Sequence, residues 1–340
     1  NNKEINMKNI TKVGLSALAG ALAVTSVNAG EMSLSGSMEA TYSKGSGYHT
    51  TGNPLGMDKE LSVTGSGELD NGTTVSYKQT ITDAMAFNDS EIVFGNVFGT
   101  TASIALTSTG SPISAIDDVT PTAFEEANAI TGSIDDVNGV DGTYGIRITQ
   151  ADILGSGVKV DYMYVPKHGS GDAQSDNGSS GTGVDQNKDG QDLTVTMSSV
   201  PFVEGLSLGF GYADMDATDL TTGQVGQEEG TAYAKYAYGG LTVGYQRGVV
   251  DAAAAAKSQF KNEYIGISYK VSDDLSISYN EIESRKSTDT TDVTQEFDSI
   301  SLSYTMGGMT IGIVDQEVDN ATYTKARTSE ETSVSLSIAF

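Results

Sequence analysis

The stretch Ser333-Val334-Ser335-Leu336-Ser337-Ile338-Ala339-Phe340 decides the fold class of this chain. Small polar and apolar residues alternate with period two, which predicts a β-strand with one polar and one apolar face. The apolar face holds Val334, Leu336, Ile338 and Phe340. A final strand of this kind favours a closed membrane barrel, because the last strand must pair with the first to leave no free edge in lipid.

The same alternation recurs along the whole chain after residue 30. We count roughly sixteen such segments, and an even number is typical of single-chain bacterial barrels. The most regular are Val158-Val160-Tyr162-Tyr164, Leu206-Leu208-Phe210-Tyr212 and Ala232-Ala234-Tyr236-Tyr238. No segment in this region reaches the ~18 apolar residues of a spanning helix. The sequence therefore predicts an all-β protein, a transmembrane antiparallel β-barrel of about 16 strands.

Connections between these segments alternate between short and long. Residues with good turn chemistry form the short ones: Asp70-Asn71-Gly72, Gly239-Gly240, Ser272-Asp273-Asp274 and Gly307-Gly308. The predicted long connections are 44–57, 108–141, 167–190, 214–229, 251–259, 286–295 and 320–330. This pattern is typical of a barrel with short periplasmic turns and long extracellular loops.

The first 29 residues have the features of a secretory signal peptide. Lys8 and Lys12 give a basic start, residues 13–24 are apolar, and Val27-Asn28-Ala29 offers small residues for cleavage. We expect cleavage after Ala29, with Met7 as a candidate start, so that residues 30–340 form the barrel. An uncleaved N-terminal helix is the alternative interpretation.

Composition excludes several classes of function. The chain has 45 Asp and Glu against 19 Lys and Arg, a formal charge of −26, which disfavours nucleic acid as a partner. It has no cysteine, so it has neither disulfides nor a thiolate metal site. The two histidines, His49 and His168, fall in predicted outer loops, without the sequence context of a nucleophile. We predict no catalytic residue and no enzyme activity, with an outer-membrane hydrolase as the disfavoured alternative.

The chain resembles the Gram-negative general porins over residues 30–340. The resemblance is carried by the signal peptide, by the hairpin SEIVFGNVFG at residues 90–99 before the long third loop, and by the terminal Phe340. It implies a trimeric, water-filled channel in the outer membrane, with the third loop folded into the pore. It also implies that the barrel-assembly machinery recognises the C-terminal strand ending at Phe340.

The third loop, residues 108–141, is rich in carboxylates and contains neither Lys nor Arg. Its position in the resembling family makes it the candidate constriction, and rings of Asp and Glu select cations. The candidate constriction residues are Asp117, Asp118, Glu125, Glu126, Asp135 and Asp136. A solvated external loop, charged for solubility, is the alternative.

Strand parity predicts which charged residues line the lumen. The inward set comprises Lys78, Arg147, Lys159, Lys235, Glu39 and Asp161, together with Glu60, Glu68 and Asp192. The resembling family carries a dense basic ladder opposite its acidic loop, and this chain departs from that pattern. We therefore expect passive diffusion of water, ions and small hydrophilic solutes, with a preference for cations.

One segment resembles the first half of a calcium-binding loop. Asp185, Asn187, Asp189 and Gln191 follow a D-x-N-x-D-G pattern that suits a hard cation. Thr196 occupies the twelfth position, where such loops carry a bidentate Glu. A polar loop without a metal is the alternative, and we expect no other cofactor.

Two other functions remain open from the sequence. One is a substrate-specific channel, in which Tyr233 and Tyr264 point inward and form a surface for sugars. The other is a non-conducting barrel that displays recognition loops, although about sixteen strands should leave an aqueous channel. The expected partners are outer-membrane lipid, two further copies of the chain, the assembly machinery, and small solutes.

Overall fold

The structure is a computed structural model that describes residues 30–82, 87–125, 127, 134–140, 144–153, 155–168, 187–217, 226–252 and 258–340. Its strands are β1 (Glu31–Gly47), β2 (Leu55–Glu68), β3 (Thr74–Ile81), β4 (Phe87–Gly95), β5 (Ala102–Thr107), β6 (Gly145–Gln150), β7 (Val158–Val165), β8 (Asn187–Met197), β9 (Leu206–Ala217), β10 (Gln227–Tyr238), β11 (Leu241–Asp251), β12 (Gln259–Lys270), β13 (Leu275–Ser287), β14 (Asp292–Met306), β15 (Met309–Asp319) and β16 (Ser329–Ala339). Short 3₁₀ turns occur at Val97–Gly99, Ser114–Ile116 and Ala321–Tyr323.

These sixteen strands form one closed antiparallel barrel, in which each strand pairs with its sequence neighbours and β16 pairs with β1. The closing register places Tyr42 beside Val334 and Ala40 beside Leu336. Phe340 continues the ladder beyond β16, since its N–H donates to the carbonyl of Gly36 at 3.0 Å and its carbonyl accepts from the Gly36 N–H at 2.8 Å. The predicted all-β barrel is confirmed.

The two faces of the strands differ as the alternation predicts. On the outer face, Leu302 lies between Ile277 of β13 and Ile313 of β15, and such apolar rows stay exposed around the ring. On the inner face the next residue, Ser301, pairs with Ser278 and Val314. Because only lipid can cover an exposed Leu, Ile and Tyr surface of this extent, the outer rows form the membrane-spanning band.

Some of the outward tyrosines lie at the extracellular edge of this band. The hydroxyls of three of them contact the next outward polar residue on a neighbouring strand: Tyr245 donates to Glu263 at 3.4 Å and Tyr162 donates to Gln191 at 3.0 Å. Tyr279 donates to Asp298 in the same way. A ring that is apolar at one end and hydrogen-bonded at the other suits the membrane–water interface.

Several strands continue beyond the tyrosines, which corrects the predicted loop bounds. The predicted loop 286–295 shrinks to residues 288–291, because β13 runs to Ser287 and β14 starts at Asp292. The predicted loop 44–57 likewise shrinks to residues 48–54. Outward residues in these extensions are charged, as Glu283 and Arg285 are, so the ladder persists above the lipid where the hydrophobic alternation stops.

The predicted tight turns are confirmed. They connect β2 to β3, β10 to β11, β12 to β13 and β14 to β15. Gly239 and Gly307 have φ of 59° and 63°, a conformation that glycine adopts without strain. Within the described ranges, none of the helical segments has the length and hydropathy of a transmembrane helix. The signal peptide lies outside the described residues and stays a prediction.

Leu336 and Ser337 are sequence neighbours at one depth that face opposite sides of the wall. We expect Leu336→Lys to lower the free energy of unfolding by about 2–4 kcal/mol, because it places a charge in lipid. Ser337→Lys is the matched control. Its side chain points inward, where Ser337 now donates to Glu39 at 2.6 Å, and the loss should be much smaller. Urea unfolding in lipid vesicles, followed by circular dichroism, measures both. Equal losses would contradict the assigned parity.

Candidate functional site

The third loop fills one side of the barrel interior. It follows β5, and its described residues are 108–125, 127, 134–140 and 144. Among the described residues, three hydrophobic clusters lie inside the barrel, and each joins loop residues to inward wall residues. The loop contributes Ala127 to one cluster, Ile113 and Val137 to the second, and Val140 to the third. The predicted inward course of the third loop is therefore seen in its packing.

Small wall residues form a groove under the first half of this loop. A Cβ atom added at Gly244 would lie 2.5 Å from Cδ of Pro121, and one at Gly211 would lie 2.8 Å from Ile113. At Gly312 it would overlap the ring of Phe124. The absence of side chains at these positions lets the loop lie close to the wall. Glycine and serine on this side therefore seat the loop as well as widen the lumen.

Inward polar side chains bind the loop backbone along this groove. Gln246 of β11 accepts from the Val119 N–H at 2.9 Å and donates to the carbonyl of Ile116 at 2.8 Å. Asn280 of β13 donates to the carbonyl of Pro121 at 3.0 Å, and the Ala123 N–H donates to Ser278 at 2.8 Å. These bonds satisfy backbone groups that would otherwise be buried without partners.

The returning segment, residues 134–140, is bound to the same wall nearer the extracellular ends of the strands. The carboxylate of Glu229 on β10 accepts from the N–H groups of Asn138 and Gly139 at 2.6 and 2.7 Å. Gly139 has a φ of +57°, and a side chain there would collide with Ile113 and Asp192. The turn at Gly139 therefore requires glycine for its backbone conformation and for its close packing.

The predicted constriction residues fall into different environments. Asp135 is exposed. Its neighbour Asp136 is turned to the wall, where Tyr264 donates to one carboxylate oxygen and Asn262 to the other at 3.3 Å. Asp117, Asp118 and Glu125 are half-buried, and Asp118 accepts from Thr120 at 2.9 Å. Glu126 lies outside the described residues. Asp135 is thus the most accessible of the described carboxylates in this set.

The predicted lumen-wall charges lie on the inner face as parity requires, and several are paired. Asp161 is buried and accepts from the Nε of Arg147 at 2.8 Å and from Lys159 at 3.0 Å. Lys78 of β3 stands directly across from Glu91 of β4. Lys235 lies 5.7 Å above the ring of Tyr233. The positive charges of Arg147 and Lys159 are therefore partly offset by the carboxylate of Asp161, and Lys78 faces the carboxylate of Glu91.

A sequence model described as Gram-negative porin matches residues 14–340. The chain belongs to the Gram-negative porin family. Such porins are outer-membrane channels with no enzymatic role, and this porin is located in the outer membrane. Among curated proteins no match was found.

Solved structures share the fold of this porin at low sequence identity. A porin refined at 1.8 Å resolution is 14% identical, with a TM-score of 0.64 over 91% of this chain and 100% of that chain. An anion-selective porin from Comamonas acidovorans is 13% identical, with a TM-score of 0.64 over 92% and 100% of the two chains. The trimer form of OmpT from Vibrio cholerae is 9% identical, with a TM-score of 0.64 over 92% and 99%.

The described part of the predicted calcium loop is a strand in the porin. Residues 187–191 belong to β8, so this segment is extended and does not curl around a central point. The prediction of a polar loop up to Gly190 was wrong from Asn187 onward. Asp185 lies outside the described residues. Among residues that the structure does describe, no group of three or more acidic or histidine side chains is arranged for a metal. Calcium binding stays a prediction.

The histidines and inward tyrosines of the porin have structural partners. The backbone of His49 donates to Ser329 at 2.8 Å, and the ring of His168 lies 2.7 Å from the carbonyl of Asp216. Tyr264 is fully buried under the third loop, so it does not form the surface for sugars that its inward parity suggested. Tyr233 is inward and half-buried.

Sequence reasoning missed the residues that hold the loop, namely Glu229, Gln246, Asn262 and Asn280. One signal was present. These side chains occupy inward positions on β10–β13, where most other inward residues are small, as Gly244, Gly266 and Ser268 are. A long amide or carboxylate within a row of Gly and Ser indicates a partner inside the barrel.

Gly244→Val should push Pro121 toward the pore axis and reduce single-channel conductance, because the new Cβ would overlap the loop. Overpacking of this kind costs about 1–3 kcal/mol locally. Gly65→Ala is the control, since its Cβ would meet its nearest atom only at 4.0 Å. Planar-bilayer recordings measure both variants. Unchanged conductance in Gly244→Val would show that the loop does not lie against this wall.

Burial raises the pKa of Asp136 from 3.8 to about 7, and the nearby charge of Asp117 adds to the rise. Hydrogen bonds from Tyr264 and from the backbone of Val137 favour the charged carboxylate and oppose the rise only in part. The folded state therefore binds this proton more tightly than the unfolded state does. Its contribution to stability is greatest at acid pH and is lost as pH rises from 3.8 to about 7. We expect Asp136→Asn to remove this contribution to the pH dependence of thermal unfolding. Parallel pH profiles for wild type and variant would contradict the assignment.

Proposed function

We propose that this porin allows passive diffusion of ions and small hydrophilic solutes and prefers cations. The single observation that supports this most directly is the exposed carboxylate of Asp135 on a loop seated inside the barrel. Rings and clusters of carboxylates along a pore raise the local cation concentration and repel anions. No energy source or cofactor is required for movement down a gradient.

The charge balance of the lumen favours the same sign of selectivity. Inward bases such as Arg147 and Lys159 share the carboxylate of Asp161, which cancels one of their two positive charges. The third loop, by contrast, contains no Lys or Arg to neutralise its acids. Fields are screened beyond about 8 Å at physiological salt, so selectivity arises where the loop narrows the passage.

Fold alone does not decide which ion passes. A structure with the same barrel carries the description anion-selective, at a TM-score of 0.64. The sign of selectivity therefore depends on individual side chains of the loop and the facing wall. This is why the proposal depends on Asp135 and on the paired state of Arg147.

We also propose that three copies of the chain associate in the membrane. Support comes from the similarity in fold to OmpT of Vibrio cholerae, whose structure is described as a trimer form. Recognition of the strand ending at Phe340 by the barrel-assembly machinery remains a prediction. Crosslinking of the native porin, followed by electrophoresis without heating, tests the number of copies.

In a salt gradient across a planar bilayer, the reversal potential of the wild type should have the sign of cation preference. Asp135→Asn should move it toward zero, because the substitution removes one accessible charge from the pore. Glu317→Gln is the matched control, since it removes one charge from the outer face of β15. A preference for chloride in the wild type would refute the proposal. Current block by one sugar or amino acid would indicate a substrate-specific channel instead.

A further inference from the structure

Four residues form a closed ring of hydrogen bonds around the peptide groups of Asp135. The Asp135 N–H donates to the hydroxyl of Tyr323 at 3.4 Å, which lies 2.7 Å from the hydroxyl of Ser284. Ser284 donates to Oδ1 of Asn262 at 2.6 Å, and Nδ2 of Asn262 donates to the carbonyl of Asp135 at 2.9 Å. The ring thus begins and ends on the same loop residue.

The proton positions in this ring are fixed by elimination. Asn262 uses its amide NH₂ on Asp135, so its oxygen must accept from Ser284. The single proton of Ser284 is then committed, and Tyr323 must donate to Ser284. All donors point in one direction around the ring. Hydrogen bonds aligned in this way polarise and strengthen one another.

The ring joins three separate parts of the barrel. Asn262 lies on β12 and Ser284 directly across from it on β13, and both are fully buried. Tyr323 comes from the extracellular connection between β15 and β16, residues 320–328. Loss of one member would leave buried polar groups without partners, which costs about 1–3 kcal/mol for each group. The position of Asp135 is therefore determined by residues distant in sequence.

Residues 320–328 hold Tyr323 inward through an unusual backbone. Asn320, Thr322, Tyr323 and Ala326 all have φ between 53° and 64°, a region that costs about 1–3 kcal/mol for residues other than glycine. Local bonds offset this cost: Asn320 donates to the carbonyl of Thr294 at 2.9 Å and accepts from the Ala326 N–H at 3.0 Å.

The aromatic ring of Tyr323 is also in contact with two wall side chains. Its centroid lies 5.6 Å from that of Phe260 and 5.4 Å from the ammonium of Lys286. The neighbouring Ala321 is buried in the cluster that includes Tyr264 and Phe297. The strained backbone and the packed aromatic side chain together hold the Tyr323 hydroxyl in one position, where it contacts the backbone of Asp135 in the third loop.

We propose that Tyr323 is a positioning residue for the pore: through the hydrogen-bond ring with Ser284 and Asn262, the extracellular residues 320–328 fix the place of Asp135 in the lumen. The inference rests on the proposed function only where it assigns a consequence for ion selectivity. Its structural part, that Tyr323 immobilises Asp135, stands by itself. The position of the third loop at Asp135 is thereby set by residues on the extracellular side of the barrel.

A spin label at residue 135 tests the structural part. The chain has no cysteine, so Asp135→Cys provides a single labelling site. The hydrogen-bond ring should survive this substitution, because it uses only the backbone N–H and carbonyl of residue 135. In the refolded full chain in lipid vesicles, we expect Tyr323→Phe to increase label mobility. Tyr304→Phe, on the lipid-facing side of β14, should leave it unchanged. An unchanged spectrum in Tyr323→Phe would overturn the inference.

The reversal potential separates this inference from the proposed function. With native Asp135, Tyr323→Phe should weaken cation preference and increase current noise, whereas a merely structural hydroxyl would lower stability without changing either. Ser284→Ala breaks the same ring at another point and should give the same two changes. If the wild type shows no cation preference, the proposed function fails, and the spin-label spectra still decide whether Tyr323 positions Asp135.

Discussion

Closure of the hydrogen-bond ladder between β1 and β16 is the constraint on which the rest of the structure depends. In hydrocarbon, each unpaired backbone group costs several kcal/mol, so a membrane sheet must have no edge. The register of closure also fixes which face of every strand meets lipid. A slip of one residue would turn the serines of β16 outward and its Leu336 inward. The inner surface that receives the third loop exists because that register is kept.

The strands and their faces could be predicted from the sequence because lipid and water impose a strict period of two on most segments. Their extracellular ends could not. On β13 the outward positions change from Ile277 and Tyr279 to Glu281 and Glu283, so the hydrophobic signal stops while pairing with β14 continues to Ser287. Beyond the lipid the outward face contacts water, so the polarity of its side chains no longer distinguishes a strand from a loop. The extended segment 187–191, for which the sequence left open a calcium-binding loop or a plain polar loop, has the same explanation.

Within the third loop, the sequence identified the acidic segment but not the separate fates of its carboxylates. Asp135 and Asp136 are neighbours, yet one is exposed and the other is bound by Tyr264 and Asn262. That difference arises from wall residues more than a hundred positions away in the sequence, so it could not be predicted from the composition of the loop. Inward parity made a contact between Tyr264 and solute one open alternative, but parity gives only direction, and a side chain directed inward can still be covered by the loop.

The glycine groove has a consequence for how such a channel can change over evolution. Gly211, Gly244 and Gly312 form a groove in the wall that the third loop occupies. The width of the pore therefore depends on the loop as well as on the barrel wall. Insertions or deletions in the third loop can alter the size of the passage. The barrel wall, its lipid contacts and its assembly route would stay the same. Permeability and architecture are therefore separable traits in this molecule.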